Sequence, residues 1–324
     1  MTMTFKNKYD QCLRNLGNVS KPDYPNYETN LYADFVELLV IFSKGDGISY
    51  GDIQDRFFGE PEADKKSSSE KNDDNEYFIN TIFDLIEQRR FLYGELYPFD
   101  LGNEQIISLK TDLSLSQKLY LFLLFSSSLD IFKTFNSEIT TDFEIVSCEA
   151  IKSYLPQAIV IPFGKLSVFK GTAKEKIKKL ADYIGLPTDE DEIACVGERN
   201  IQERGLDIVS WIPFEDNCQN KIIFLCQCAC GKQYESKQHD VRRYQNYYRF
   251  YRTKPLLTLL IPYSLINPQN GKFYHSDYIE NDYLIFERLR IINLAKQTDN
   301  ILSMLNSSDL IERCIQDYRK KSIV

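Results

Sequence analysis

The sequence predicts an α/β protein, a mixed central sheet flanked by helices and preceded by a mainly helical N-terminal domain. Apolar residues follow helical spacing through most of the first 155 residues. After residue 157, short runs rich in Val, Ile, Leu and Phe alternate with helical segments. The charge also divides: residues 1–150 carry 14 Lys/Arg against 26 Asp/Glu, and residues 151–324 carry 25 against 21. A chain of 324 residues, 43% hydrophobic and 27% charged, is long enough for one large core or two modest ones.

In chain order, residues 31–43 are almost continuously apolar apart from Asp34 and Glu37 and predict a buried helix. Ser49 is placed to cap a short helix ending at Phe57 or Phe58. The polar stretch 62–75 reads as a disordered surface insertion. Ile79, Ile82, Phe83 and Ile86 then mark one face of a further helix over 76–90. Residues 91–110, broken by Pro98 and Gly102-Asn103, fit a hairpin. Three helices and a hairpin suit either a winged-helix-like domain or a plain helical scaffold, and the acidic charge counts against duplex contact. Residues 115–135 read as another buried helix, closing a first domain over 1–135.

The second domain spans 136–297. A helix over 142–155 precedes a strand at 158–164, and a helix over 173–185 closes at Gly185. Strands follow at 205–212 and 221–229, then a basic, Tyr-rich helix at 236–253, a strand at 256–265 and a core helix at 282–297. Residues 298–324 form a C-terminal helix.

Several classes drop out. The longest apolar run, 119–125, is too short to cross a bilayer. The opening MTMTFKNKYDQ lacks an apolar export segment, so a cytoplasmic protein with reduced thiols and no membrane partner is expected. Two histidines, His239 and His275, argue against His-based triads. No Walker loop or dinucleotide-type glycine fingerprint is present. Cys226, Cys228 and Cys230, with Cys218 nearby, invite a zinc reading. Alternate strand residues stand about 7 Å apart, however, too far for two thiolates on one ion, and buried apolar side chains are the better account. Trp211 fits a core position, and Glu198, Glu203 and Arg204 a solvated loop; Glu203 alone among them is a candidate metal helper.

The chemistry concentrates in two strands. In GLDIVSWI, alternation puts Asp207 on the face of Val209 and Trp211, and a carboxylate in a buried strand needs a metal, a donor or water. KIIFLCQCA is apolar on both faces except for Gln227, which shares the face of Ile223 and Leu225. On a preceding helix Glu144 shares a stripe with Cys148, Ile151 and Leu155, whereas Glu175 lies opposite the apolar face of its own helix. Glu144 is therefore the better core-facing acid, with a surface ion pair as its alternative. Residues 232–254 hold seven Lys/Arg against Glu235 and Asp240, with five interleaved tyrosines. They fit phosphate contact through Arg242, Arg243, Arg249 and Arg252, or else a solvated helix face.

ERGLDIVSW followed by IIFLCQCACGKQYESK resembles the core of the PD-(D/E)xK restriction-endonuclease-like nucleases, especially Mrr-type enzymes, in which Gln begins the second motif. The resemblance covers about residues 140–296. It implies a restriction-endonuclease-like fold, Asp207 and Gln227 as ligands of Mg²⁺ or Mn²⁺, and Glu144 as the helix acid. Ala229 stands where that family places its lysine; the resemblance then implies a migrated lysine, Lys237 ahead of Lys232. The implied activity is metal-dependent DNA cleavage in bacterial restriction or antiphage defence. The implied partners are DNA and either a second copy of the chain or another subunit of a defence system. The alternative is a nuclease-derived module that binds or senses without cutting.

Overall fold

The computed structural model describes residues 3–25, 28–43, 47–59, 68–102, 105–197 and 205–321. The chain divides into two compact units, Met1–Ile139 with Tyr263–Lys272 and Asn306–Val324, and Thr140–Pro262 with Phe273–Leu305.

In the first unit α1 (Phe5–Gly17), α2 (Thr29–Phe42), α3 (Tyr50–Phe58) and α4 (Ser68–Tyr93) precede a hairpin of β1 (Phe99–Leu101) and β2 (Ile107–Leu109). Ile48, between α2 and α3, adds an antiparallel bridge to Ile107. Ser49 caps α3 in a reciprocal capping box with Asp52. α4 buries Ile79, Ile82, Phe83 and Ile86 as the periodicity predicts, but it begins at Ser68. Residues 68–75 of the expected insertion are therefore helical, Glu and Lys both being good helix formers. The rest of that insertion, residues 62–67, lies outside the described residues. α5 (Leu115–Ser126) stops earlier than expected: the hydroxyls of Ser126 and Ser127 donate back to the carbonyls of Phe122 and Leu124, competing with a further turn.

Buried Asp34 and Glu37 of α2 are explained by Arg89 of α4, whose guanidinium lies 2.8 Å from Asp34 and 2.9 Å from Glu37. The Glu37 carboxylate also accepts the hydroxyls of Tyr97 and Tyr120, at 2.8 and 2.9 Å. Burial alone would lower the Arg89 pKa; Glu37 and Asp34 outweigh it and hold that pKa above the usual arginine value.

In the second unit, to which most of α6 (Asn136–Tyr154) belongs, the elements run β3 (Ile159–Pro162), α7 (Ala173–Ile184), α8 (Glu190–Ala194), β4 (Ile208–Trp211) and β5 (Ile223–Cys228). α9 (Tyr234–Arg242), α10 (Tyr244–Tyr247), β6 (Leu256–Leu260), β7 (Tyr283–Phe286) and α11 (Arg288–Ala295) follow. The five strands stand in sequence order; β3, β4 and β5 pair antiparallel, and β5, β6 and β7 parallel. This is the expected mixed sheet flanked by helices, with one strand more than expected. Tyr283–Phe286 was absorbed into the helix expected over 282–297, but Glu287 caps a new helix there, its carboxylate accepting the Arg290 N–H at 3.0 Å. The basic helix expected over 236–253 is instead two short pieces that end at Tyr247, where Tyr248 turns extended.

One face of the sheet (Ile161, Val209, Trp211, Ile223, Leu225, Leu257) packs on Ile177, Leu180 and Ile184 of α7 and on Val241 and Tyr244. On the other face Cys226 and Cys228 meet α6 at Cys148. The chain closes with α12 (Ser308–Lys321), which belongs to the first unit; residues 298–307 ahead of it form turns and a short 3-10 helix at Ile301–Met304. Among the described residues no helix is long and apolar enough to cross a membrane.

Candidate active site

Asp207 sits at the mouth of β4, two residues after Gly205. Gly205 is required twice over: its φ is +92°, and a Cβ there would come within 2.4 Å of Asp240 Cβ and 3.1 Å of Gln227 Nε2. The backbone of Asp207 is clamped on both sides. Its carbonyl accepts the N–H groups of Phe163 (2.7 Å) and Gly164 (2.9 Å), and its own N–H donates to the Cys226 carbonyl at 3.0 Å.

That last bond matters. β4 and β5 pair Ile208 with Cys226, so continuing the ladder would set Asp207 opposite Gln227. Asp207 instead bonds one residue back, and the ladder slips at its end. The side chain bends into the sheet edge, where its Oδ2 accepts the Cys228 N–H at 2.7 Å. Its electrostatic neighbours are Cys148, Cys226 and Cys228 on the α6 side, not Val209 and Trp211.

Glu144 of α6 meets it there. A Cβ built on Gly164 would stand 2.9 Å from Asp207 Oδ1 and 2.9 Å from Glu144 Oε2, so the two oxygens lie within twice that distance of each other. Glu144 is buried, and its Oε2 accepts the Lys165 N–H at 3.0 Å. Of the two acids weighed from the sequence, Glu144 is the one beside Asp207. Glu175 is exposed and spends its carboxylate on the capping box of α7, where hydrogen bonds from Thr172 hold its pKa below the usual glutamate value.

The other expected site residues are placed differently. Gln227 is buried, with its Nε2 toward Gly205 and its Oε1 without a hydrogen-bond partner. Lys237 is 55% exposed and pairs with Asp240 at 3.7 Å, one turn along α9. Lys232 lies half-buried in the turn between β5 and α9, two residues beyond Cys230, whose thiol senses both carboxylates. Arg242 pairs with Glu280, Arg243 with Asp240 (2.6 Å) and Arg249 with Asp189 (3.1 Å), while Arg252 lies over the Tyr251 ring. Glu198, Glu203 and Arg204 fall outside the described residues.

Lys165 was missed from the sequence. Its N–H holds Glu144, and its ammonium reaches Thr140 and opposes the carboxylates acting on Cys230. The available signal is a basic residue directly after the Gly that lies two residues past β3. Burial, reinforced by Asp207 and Glu144, pushes the thiols of Cys228 and Cys230 well above the ordinary cysteine range. Burial likewise pushes Cys148 up to about 12. In these surroundings the protonated form of the three thiols is favoured near neutral pH. Among the described residues, no group of three or more His, Cys, Asp or Glu side chains is arranged to hold a metal ion.

Gly164 is the space on which the carboxylate pair depends. In Gly164→Ala the new methyl would touch both oxygens, and each carboxylate is tethered by a backbone N–H. The expected result is a loss of ~1–3 kcal/mol in urea unfolding and loss of whatever the pair binds. An unchanged midpoint would show that the carboxylates move aside freely.

No family model, curated protein or solved structure matches the chain.

Proposed function

We propose that the chain is a Mg²⁺-dependent DNA endonuclease, built on a restriction-endonuclease-like core with a winged-helix-like N-terminal domain. The observation that carries this reading is the convergence of Asp207 and Glu144 on the side chain-free Gly164, at the edge of the central sheet. A buried Glu144 and a half-buried Asp207 repel, and a cation shared between them relieves that repulsion. Asp207 and Glu144 offer carboxylate oxygens, which suit Mg²⁺ or Mn²⁺, whereas Gln227 alternates onto the opposite face of β5, with Ile223 and Leu225, and stands apart from the pair. Mg²⁺ ordinarily takes one or two carboxylates, water and substrate phosphate, so two acids suffice.

When bound, such an ion would act as a Lewis acid toward a phosphodiester and lower the pKa of water. The chain's own part is positional. The Cys228 N–H fixes Asp207 Oδ2 and the Lys165 N–H fixes Glu144 Oε2, so that Asp207 Oδ1 and Glu144 Oε2 border the space beside Gly164. The ammonium of Lys165, which opposes the two carboxylates acting on Cys230, would steady negative charge developing on the phosphate, in place of the lysine that Ala229 replaces; Lys232, two residues beyond Cys230, is the second choice. The helix, bridge, helix, helix and hairpin order of the first unit supports the winged-helix-like reading. A role in bacterial restriction or antiphage defence, a cytoplasmic location, and a partnership with a second copy or another defence subunit follow from the sequence resemblance.

Incubating the protein with plasmid and linear DNA, in Mg²⁺, Mn²⁺ or EDTA, tests the activity. Metal-dependent nicking or linearisation is expected. Cleavage that persists in EDTA, or none with any divalent ion, overturns it. The second reading, a nuclease-fold module that binds DNA without cutting, is favoured by the exposed Lys237–Asp240 pair and by Ala229. It predicts DNA binding with no cleavage in every arm.

A further inference from the structure

We propose that residues 165–183, and not the arginines of 242–252, form the track along which a nucleic-acid strand reaches the Asp207–Glu144 pair. The inference rests on the nuclease reading for what happens at the end of the track, but the track itself is argued from charge and exposure.

Residues 165–183 hold six lysines, 165, 170, 174, 176, 178 and 179, against two carboxylates, Glu175 and Asp182. The Glu175 carboxylate is engaged by Thr172 in the helix cap. Lys170 and Lys174 have no carboxylate partner among the described residues. Lys178 meets Glu190 at 2.6 Å, and Lys179 donates to the Lys170 carbonyl at 2.7 Å. The segment starts at Gly164-Lys165, the backbone that cradles Glu144, so its cations begin at the acidic pair and lead away from it.

The arginine-rich segment compares poorly. Arg242, Arg243 and Arg249 each already face a carboxylate of the protein, so a phosphate would have to displace that partner before gaining anything. Cations without such a partner release counterions at no such cost, and phosphate affinity scales with their number.

Exposed apolar groups lie along the same segment. Val168 is 64% and Tyr183 59% exposed. The Tyr183 ring is held edge-on by Phe169 (6.1 Å) and Trp211 (5.7 Å). An aromatic ring fixed by its edges and open to solvent is a platform for stacking a base beside its phosphates. A positive stripe interleaved with an anchored ring fits a nucleic-acid strand better than an anionic membrane, which needs no such platform.

The test uses full-length Asp207→Asn protein in EDTA, so that binding is read without cleavage. A fluorescein-labelled DNA single strand and its duplex are titrated across a salt series. Introducing Lys170→Glu with Lys174→Glu should weaken binding at least tenfold and flatten the salt slope by about two phosphate contacts, ~0.7 each for single strands. Acid at the second position of α7 suits a helix N-terminus, so the fold should hold, and circular dichroism checks it. Arg243→Ala with Arg249→Ala should change affinity less than threefold. Unchanged DNA affinity in the lysine variant overturns the track even if the wild type cuts DNA. Binding to phosphatidylserine vesicles in preference to DNA overturns it in favour of a membrane surface. A lysine effect on binding with no wild-type cleavage in any divalent metal leaves the track standing and removes the nuclease reading.

Discussion

Replacing Arg89 with methionine should unfold the first unit at markedly lower denaturant, with a loss of about 3–5 kcal/mol, or roughly 10 °C in Tm. The Arg89 side chain is about 1% exposed, and both its carboxylate partners are buried with it. Methionine fills similar volume, so the cost is not a cavity. It is electrostatic: Asp34 and Glu37 would be left inside the core beside the hydroxyl donors of Ser127, Tyr97 and Tyr120 but without the guanidinium. Hydroxyls stabilise a carboxylate but do not neutralise it. Adding Glu37→Gln to Arg89→Met should therefore recover part of the loss, because one of the two stranded charges is gone. Urea unfolding of the single and double variants measures this. A loss below about 1 kcal/mol for Arg89→Met would mean that water reaches the network and screens it.

The same residues show how far the sequence could be read. Asp34 and Glu37 stood out as charges in an apolar helix, yet nothing local pointed to Arg89, because the pairing spans more than fifty positions. Local signals served well: the Ser49 cap, the stripe of α7 closing at left-handed Gly185, and the Phe99–Leu109 pairing of the hairpin are all short-range chemistry. Strand β7 was hidden because four apolar residues ahead of an apolar helix continue its pattern until the Glu287 cap is seen. The arginines of 242–249 looked available for phosphate because Glu280 and Asp189, which pair with two of them, lie far off in sequence.

The candidate site was half legible for a similar reason. Glu144 could be picked out from its stripe with Cys148 and Ile151, since helical periodicity is faithful over that distance. Strict alternation placed Asp207 on the wrong side of the sheet, because a one-residue slip at a strand end reverses the face and leaves no mark in the sequence. The roles of Gly164 and Lys165 depend on that slip and so could not be foreseen.

Neutralising Asp207 is the substitution with the largest expected effect on activity, and the structure decides which replacement is informative. Asp207→Ala removes the charge but also strands the Cys228 N–H, which now donates to Oδ2 at 2.7 Å. Stranding a buried donor costs ~1–3 kcal/mol, which offsets any relief of repulsion from Glu144. Asp207→Asn keeps an oxygen for that N–H and removes only the charge. Its Tm should equal or exceed the wild-type value, while DNA cleavage falls by ~10²–10³-fold or more. Mg²⁺ should raise the wild-type midpoint and leave that of the Asn variant unchanged, because a ligand stabilises only the state that binds it. Melts with and without Mg²⁺, alongside a plasmid-nicking assay, therefore separate a structural carboxylate from a metal-binding one. A structural Asp207 predicts an Asn variant that melts near the wild type and cuts as before, and an Ala variant that melts lower but still cuts, since only the hydrogen bond would then matter. A metal-binding Asp207 predicts that both variants lose cleavage and the Mg²⁺-dependent rise in midpoint.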